Sequence, residues 1–303
     1  MTYLKLLATA FLWGGTFIAG RALAGHVTPP SAAFLRFAVA TACLHLLAWR
    51  IDGGLPKLRP GQAFGVAMAG LTGVFSYNLF FFSGLTHVTA SRASLIIATN
   101  PVFIALASAA LFGDRLSRTR LTGILLSATG AMVVISKGRV DLLMADGAGL
   151  GIGEAMVFGS VASWVAFSLI GKRVLAELSP LASITYAATA GTAALLIPAL
   201  MDGMLVHLVD YRMADWFSIG YLGIFGTTVG FIWYYQGIRS IGPSRAGLFI
   251  NFVPVSAILL GILILHEPVT ASLFVGAALV TTGAFLTNRP APQAAARTEV
   301  SSA

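Results

Sequence analysis

Ser91-Arg92-Ala93-Ser94-Leu95-Ile96-Ile97-Ala98-Thr99-Asn100-Pro101 and Ser244-Arg245-Ala246-Gly247-Leu248-Phe249-Ile250-Asn251-Phe252-Val253-Pro254 are two copies of one pattern, 153 residues apart. The likeness widens on both sides: residues 84–131 return as 237–284, and Thr129-Gly130-Ala131 is answered by Thr282-Gly283-Ala284. Upstream, Trp13, Gly20, Arg21 and Pro29 are answered by Trp164, Gly171, Lys172 and Pro180 at an offset of 151, so a two-residue insertion in a loop reconciles the spacings. An ordered series that includes two tryptophans and two prolines marks an internal repeat.

Both copies consist of apolar runs broken by short polar loops. Hydrophobic residues make up 57% of the chain and charged residues 10%, with a mean hydropathy of +0.86. A soluble domain carries about 25% charge, so lipid is the main solvent of this chain. Roughly 20 apolar residues cross about 30 Å of hydrocarbon as a helix. The expected spans are 3–22, 31–50, 62–83, 92–112, 121–136, 151–171, 181–200, 216–238, 246–265 and 271–288. The expected fold is therefore all-α and integral to the membrane, with ten transmembrane helices. Five spans per half is an odd number, which sets the halves in opposite orientation: two inverted five-helix repeats around a central cavity, the arrangement of many secondary transporters. The halves are 1–144 and 145–288, and 289–303 reads as a disordered cytoplasmic tail.

The net charge of +8 lies in the loops between spans, which argues against a nucleic-acid surface. With the N-terminus inside, thirteen Lys and Arg fall on the inner side, five on the outer side (Arg21, Arg92, Lys137, Arg139, Arg212), and Arg36 lies within the second span. Both termini are thus expected in the cytoplasm. Cys43 is the single cysteine, which leaves no intramolecular disulfide. The first apolar run is as long as the others and reads as a span, not as a cleaved leader.

Trp13-Gly14-Gly15-Thr16-Phe17, Pro29-Pro30, Leu35-Arg36-Phe37, Asn100-Pro101 and Asp114 followed by Gly123 form a series that Pro254, Glu267 and Gly276 repeat in the second half. In this the sequence resembles the drug/metabolite transporter superfamily, specifically the EamA-type ten-helix exporters, over essentially its whole length. The resemblance implies export of small metabolites across the bacterial inner membrane, with bacterial amino-acid exporters as the nearest likeness. The expected partners are a small-molecule substrate and membrane lipid; the chain is expected to be a monomer without cofactor or metal. One departure stands out: Ala187 occupies the place of Arg36 in the second half.

Several residues are candidates for the substrate path. Pro101 and Pro254 interrupt their helices and free the carbonyls of Ile97 and Ile250; such breaks either face a wet cavity or are packing kinks, and their recurrence favours the cavity. Asn100 and Asn251 beside them offer a donor and an acceptor to a zwitterion, or else bond helix to helix. Trp13, Phe17, Tyr77, Asn78, Trp164, Tyr186 and Trp233 are candidate cavity residues for stacking and hydrogen bonding, although Trp and Tyr also form interfacial belts. Arg36 stands about one turn into its span, where it attracts a carboxylate or snorkels outward. Asp114 and Glu267 are either structural or gates, and Arg92 and Arg245, cations at helix N-termini, are candidate entrance charges or loop salt bridges. Glu154 reads as a carboxylate complementing its helix dipole. The five histidines lack metal-ligand spacing, and no nucleophile constellation or phosphate loop is present, so an enzyme is not expected. Without a buried acid or His relay, the expected mode is alternating access by uniport. The alternatives are proton-coupled antiport, sugar-phosphate or nucleotide-sugar exchange, which calls for two or more deep basic residues, and a channel-like facilitator.

Overall fold

Lipid offers no partner to a backbone N–H or C=O, so an apolar chain closes its hydrogen bonds within helices. In the computed structural model every element among the described residues is helical. The structure describes residues 1–112, 117–136, 151–241 and 249–287. The first half comprises α1 (Thr2–Leu23), α2 (Pro29–Asp52), α3 (Pro60–Ala69), a π-helical segment (Gly70–Ser76), α4 (Tyr77–His87), α5 (Ala90–Ile97), α6 (Asn100–Phe112) and α7 (Arg118–Ile135). The second half comprises α8 (Ile152–Val174), α9 (Pro180–Met201), the short α10 (Met204–His207), α11 (Met213–Gly220), a second π-helical segment (Tyr221–Val229), α12 (Gly230–Ile241), α13 (Val253–Leu265) and α14 (Ala271–Thr287).

Eight helical stretches among the described residues are long and apolar enough to cross a membrane, and α13 and α14 are shorter apolar helices. The expected spans agree with these within a few residues. The start expected at 246, the end expected at 288 and the tail lie outside the described residues. Local chemistry sets the boundaries. Pro29, Pro60 and Pro180 stand in first turns, where no N–H is missed. The side chains of Thr89, Ser117 and Ser179 accept from backbone N–H groups three residues on, at 3.3, 3.3 and 3.2 Å.

The third and eighth spans hold a feature that the sequence does not announce. Each contains a π segment, and the two start 151 residues apart, at Gly70 and Tyr221. In the second, the hydroxyls of Thr227 and Thr228 donate to the carbonyls of Leu222 and Gly223, five residues back, at 2.9 and 3.1 Å. Such segments are often found at functional sites.

The contacts that the first half makes on the second recur in reverse. A Cβ on Gly84 would strike Val157, and one on Gly237 would strike Leu6; Gly73 lies against Phe167, and Gly226 against Thr16. Gly70 abuts the carbonyl of Ala187, and Gly223 that of Arg36. Where α7 crosses α14, a Cβ on Gly123 would lie 2.6 Å from the Gly283 carbonyl, and one on Gly276 would lie 3.0 Å from that of Gly130. Thr41 and Thr192, themselves 151 apart, share a hydrogen bond of 2.9 Å between α2 and α9. Small residues let helices approach this closely in lipid, where packing supplies much of the association.

Polar contacts tie the two ends of the bundle. At one, Arg92 Nη2 meets Glu154 Oε1 at 2.9 Å, Arg92 also donates to the Ile135 carbonyl, and Arg21 donates to that of Leu85. The Ala90 and Ser91 N–H groups donate to Glu267 Oε1 and Oε2 at 2.7 and 3.1 Å. At the other, Lys5 Nζ donates to Gln236 Oε1 (2.8 Å) and Gln62 Nε2 to Glu177 Oε2 (3.1 Å). The start of α1 is therefore joined to α12, whereas the start of α8 is joined to the start of α5.

Candidate functional site

A cavity of about 720 Å³ lies between the halves, lined by α1, α2, the breaks in the fourth and ninth spans, α8, α12 and the inner faces of α7 and α14. Its chemistry is built around Arg36. This side chain is 8% exposed, buried among neutral groups. Nη1 donates to Asn78 Oδ1 at 3.0 Å, and Nε and Nη2 both donate to Thr227 Oγ1 at 3.3 Å. The acceptors come from the two π segments: Asn78 sits just past the first and Thr227 within the second. Each is oriented in turn, because Asn78 Nδ2 donates to the Val74 carbonyl (2.7 Å) and the Thr227 hydroxyl to that of Leu222. A guanidinium has five N–H groups. These three bonds leave two with no acceptor among the described residues, and no carboxylate there pairs with the charge. The three hydrogen bonds and the Phe37 ring, 5.2 Å from the guanidinium carbon, offset part of the desolvation of this buried cation, and an anion would offset more.

Rings form two walls. Trp13 packs on Phe231 and Tyr234 with centroids 5.5 and 5.3 Å apart. Tyr77 packs on Trp164 (5.3 Å), which packs on Phe167 (5.2 Å), and Phe17 packs edge-on against Phe81 at 5.3 Å. The helix breaks supply polarity between them. α5 ends at Ile97, and α6 starts at Asn100 with Pro101 in its first turn; α13 starts at Val253 with Pro254. Asn100 Oδ1 and Asn251 Nδ2 are buried without a partner, and both residues line the cavity, as do Ile97 and Ile250.

Of the residues singled out in the sequence, Trp13, Phe17, Arg36, Tyr77, Asn100, Pro101, Trp164, Asn251 and Pro254 meet at this cavity. Others do not. Asn78, 1% exposed, stands behind Arg36 and holds it. Tyr186 turns its hydroxyl to the Pro56 carbonyl at 2.6 Å, and Trp233 borders a smaller pocket with Lys5 and Gln236. Arg36 is an interior charge and not an entrance one, because its side of α2 is packed against the bundle and the side chain is buried. Arg92 and Glu267 belong to the ion pair and helix-end contacts at one end of the bundle, as does Glu154. Asp114 and Arg245 lie outside the described residues. The sequence reading passed over Arg120, Thr281, Phe167 and Phe231, all of which line the cavity. Repeat symmetry offered a signal for Thr281, a neighbour of the Thr282-Gly283-Ala284 match.

Comparison with known proteins places this geometry. The model of the EamA-like transporter family matches residues 1–136 and again 151–289. The uncharacterized transporter YyaM of Bacillus subtilis is 26% identical over 93% of this chain and 91% of its own. A probable terminal-alkyne amino-acid exporter of Streptantibioticus cattleyicolor is 30% identical over 94% of this chain and 92% of its own. A solved crystal structure with 22% identity aligns over 94% of this chain and 95% of its own at a TM-score of 0.59, a likeness of fold. Two matches of one family model and a relative at 30% identity leave a single assignment: this multi-pass membrane chain belongs to the EamA-like transporter family.

Proposed function

We propose that the chain exports small metabolites bearing a carboxylate, amino acids with apolar or aromatic side chains foremost, across the bacterial inner membrane by alternating access. Arg36 carries the reading: a buried guanidinium with two open N–H groups, set between aromatic walls, suits a carboxylate on an apolar body. In this reading the two halves are inverted repeats of five helices each. The paired glycine contacts, the Thr41–Thr192 bond and the placement of the α1 and α8 starts at different ends support it. The exporter named for a terminal-alkyne amino acid supports the substrate class.

Purified protein in liposomes loaded with phenylalanine takes up labelled phenylalanine by counterflow, with saturation. Phenethylamine, which lacks the carboxylate, does not compete. Linear, unsaturable flux sinks the carrier reading, and competition by phenethylamine sinks the role of Arg36. A second reading has one observation behind it: Arg120 lines the same cavity, so two guanidinia face it. Sugar phosphates belong in the same competition series for that reason.

A further inference from the structure

We infer that this cavity selects for net negative charge: its preferred cargo is an organic monoanion, a carboxylate on an apolar or aromatic body without a free ammonium, and the membrane potential drives its export. The inference rests on the exporter reading and departs from it in one respect: among carboxylates on an apolar body, it sets those without an ammonium ahead of the amino acids.

Among the described residues, the formal charges lining the cavity are Arg36 and Arg120, and no Asp, Glu or His lines it. The acids are engaged elsewhere, Glu154 with Arg92 and Glu267 with the N–H groups of Ala90 and Ser91. Arg120 lies in the first turn of α7, where the helix dipole adds to its positive field, and its Nε is buried without a partner. The open hydrogen-bonding capacity leans the same way. Arg36 has two unused N–H groups, Arg120 Nε and Asn251 Nδ2 are unpaired donors, and the indoles of Trp13 and Trp164 donate only. Against them stand the Asn100 Oδ1 acceptor, the carbonyls that the prolines free at Ile97 and Ile250, and hydroxyls such as that of Thr281, which serve either way. A carboxylate satisfies such a set. An ammonium adds like charge to the two guanidinia, so the amine of a zwitterion is a liability here even where a freed carbonyl accepts from it.

Net charge also supplies a driving force. One elementary charge moving across 100 mV gains the equivalent of about a 50-fold concentration ratio. In a cell whose interior is negative, an anion leaves downhill, and a carrier of such cargo works as a uniporter with no titratable relay in its cavity.

The test uses the full chain in liposomes, with a potassium gradient and valinomycin setting the potential, and two probes: N-acetylphenylalanine, an anion, and phenylalanine, a zwitterion. With the lumen positive, N-acetylphenylalanine accumulates toward about 50-fold per 100 mV. Phenylalanine exchanges at least about fivefold more slowly, and its distribution ignores the potential. Arg120→Gln raises the KM for the anion about fivefold, and an unchanged melting temperature in detergent shows that the variant is folded. Phenylalanine carried in preference to the anion, or anion flux blind to potential, overturns the inference and leaves the exporter reading standing. Counterflow of neither probe overturns both.

Discussion

The two halves share their packing and differ in their chemistry. Matched glycines make matched contacts, yet the residues around the buried cation exist once. Where the first half has Arg36, Tyr77 and Asn78, the second has Ala187, Gly230 and Phe231, and Thr227 is answered by Val74. Tyr77 presents its ring to Trp164, whereas at Gly230 the missing side chain leaves room for the indole of Trp13. The lesson is that movement and recognition make different demands. A rocking scaffold needs two equivalent halves, but one small asymmetric molecule needs a single set of ligands.

The sharpest way to break this contrast is Arg36→Gln. Counterflow is expected to fall at least about 100-fold, with normal amounts of protein in the membrane, since the open N–H groups vanish. Arg36→Lys restores little, because one ammonium cannot hold Asn78 and Thr227 and still present a fork to the substrate. Next comes the shared scaffold. Gly130→Leu and Gly283→Leu overpack the same crossing from its two sides, and each costs about 1–3 kcal/mol. Both are expected to lower the melting temperature in detergent by about 5 °C, equally within error; a one-sided effect breaks the equivalence of the halves. Third, Asn78→Leu and Thr227→Val release Arg36 and raise KM about tenfold, while Val74→Thr, the change matched to Thr227, leaves it within about twofold. The smallest effects belong to Tyr186→Phe and Trp233→Ala, whose side chains are off the cavity: rates stay within about twofold of wild type.

Much of this was legible in the chain. The apolar runs give the helices because lipid leaves the backbone no other solution. The offsets of 151 and 153 give the two halves, and Pro101 and Pro254 mark breaks that the structure places at the cavity. Other features were hidden for physical reasons. A π segment changes the hydrogen-bond register by one residue, and Gly70–Ser76, mostly small or apolar, shows no change of pattern when it does so. The depth of Arg36 depends on which side of α2 faces protein, and a helix apolar on nearly all sides carries no such mark. Tyr186 has the composition of a site residue, and only its bond to Pro56 shows that its hydroxyl is already used. Arg120 counts as a loop cation in any tally of charge, because the tally sees position along the chain and not the cavity beside it.

Thr41 and Thr192 occupy corresponding positions, and the bond between them joins the halves at a point each regards alike. When two equivalent bodies trade places, a link between corresponding points maps onto itself. In the proposed alternating-access cycle that hydroxyl pair serves as an axle, keeping its length as the mouths at either end open in turn, while the contacts of Arg92, Glu154 and Glu267 are broken and remade.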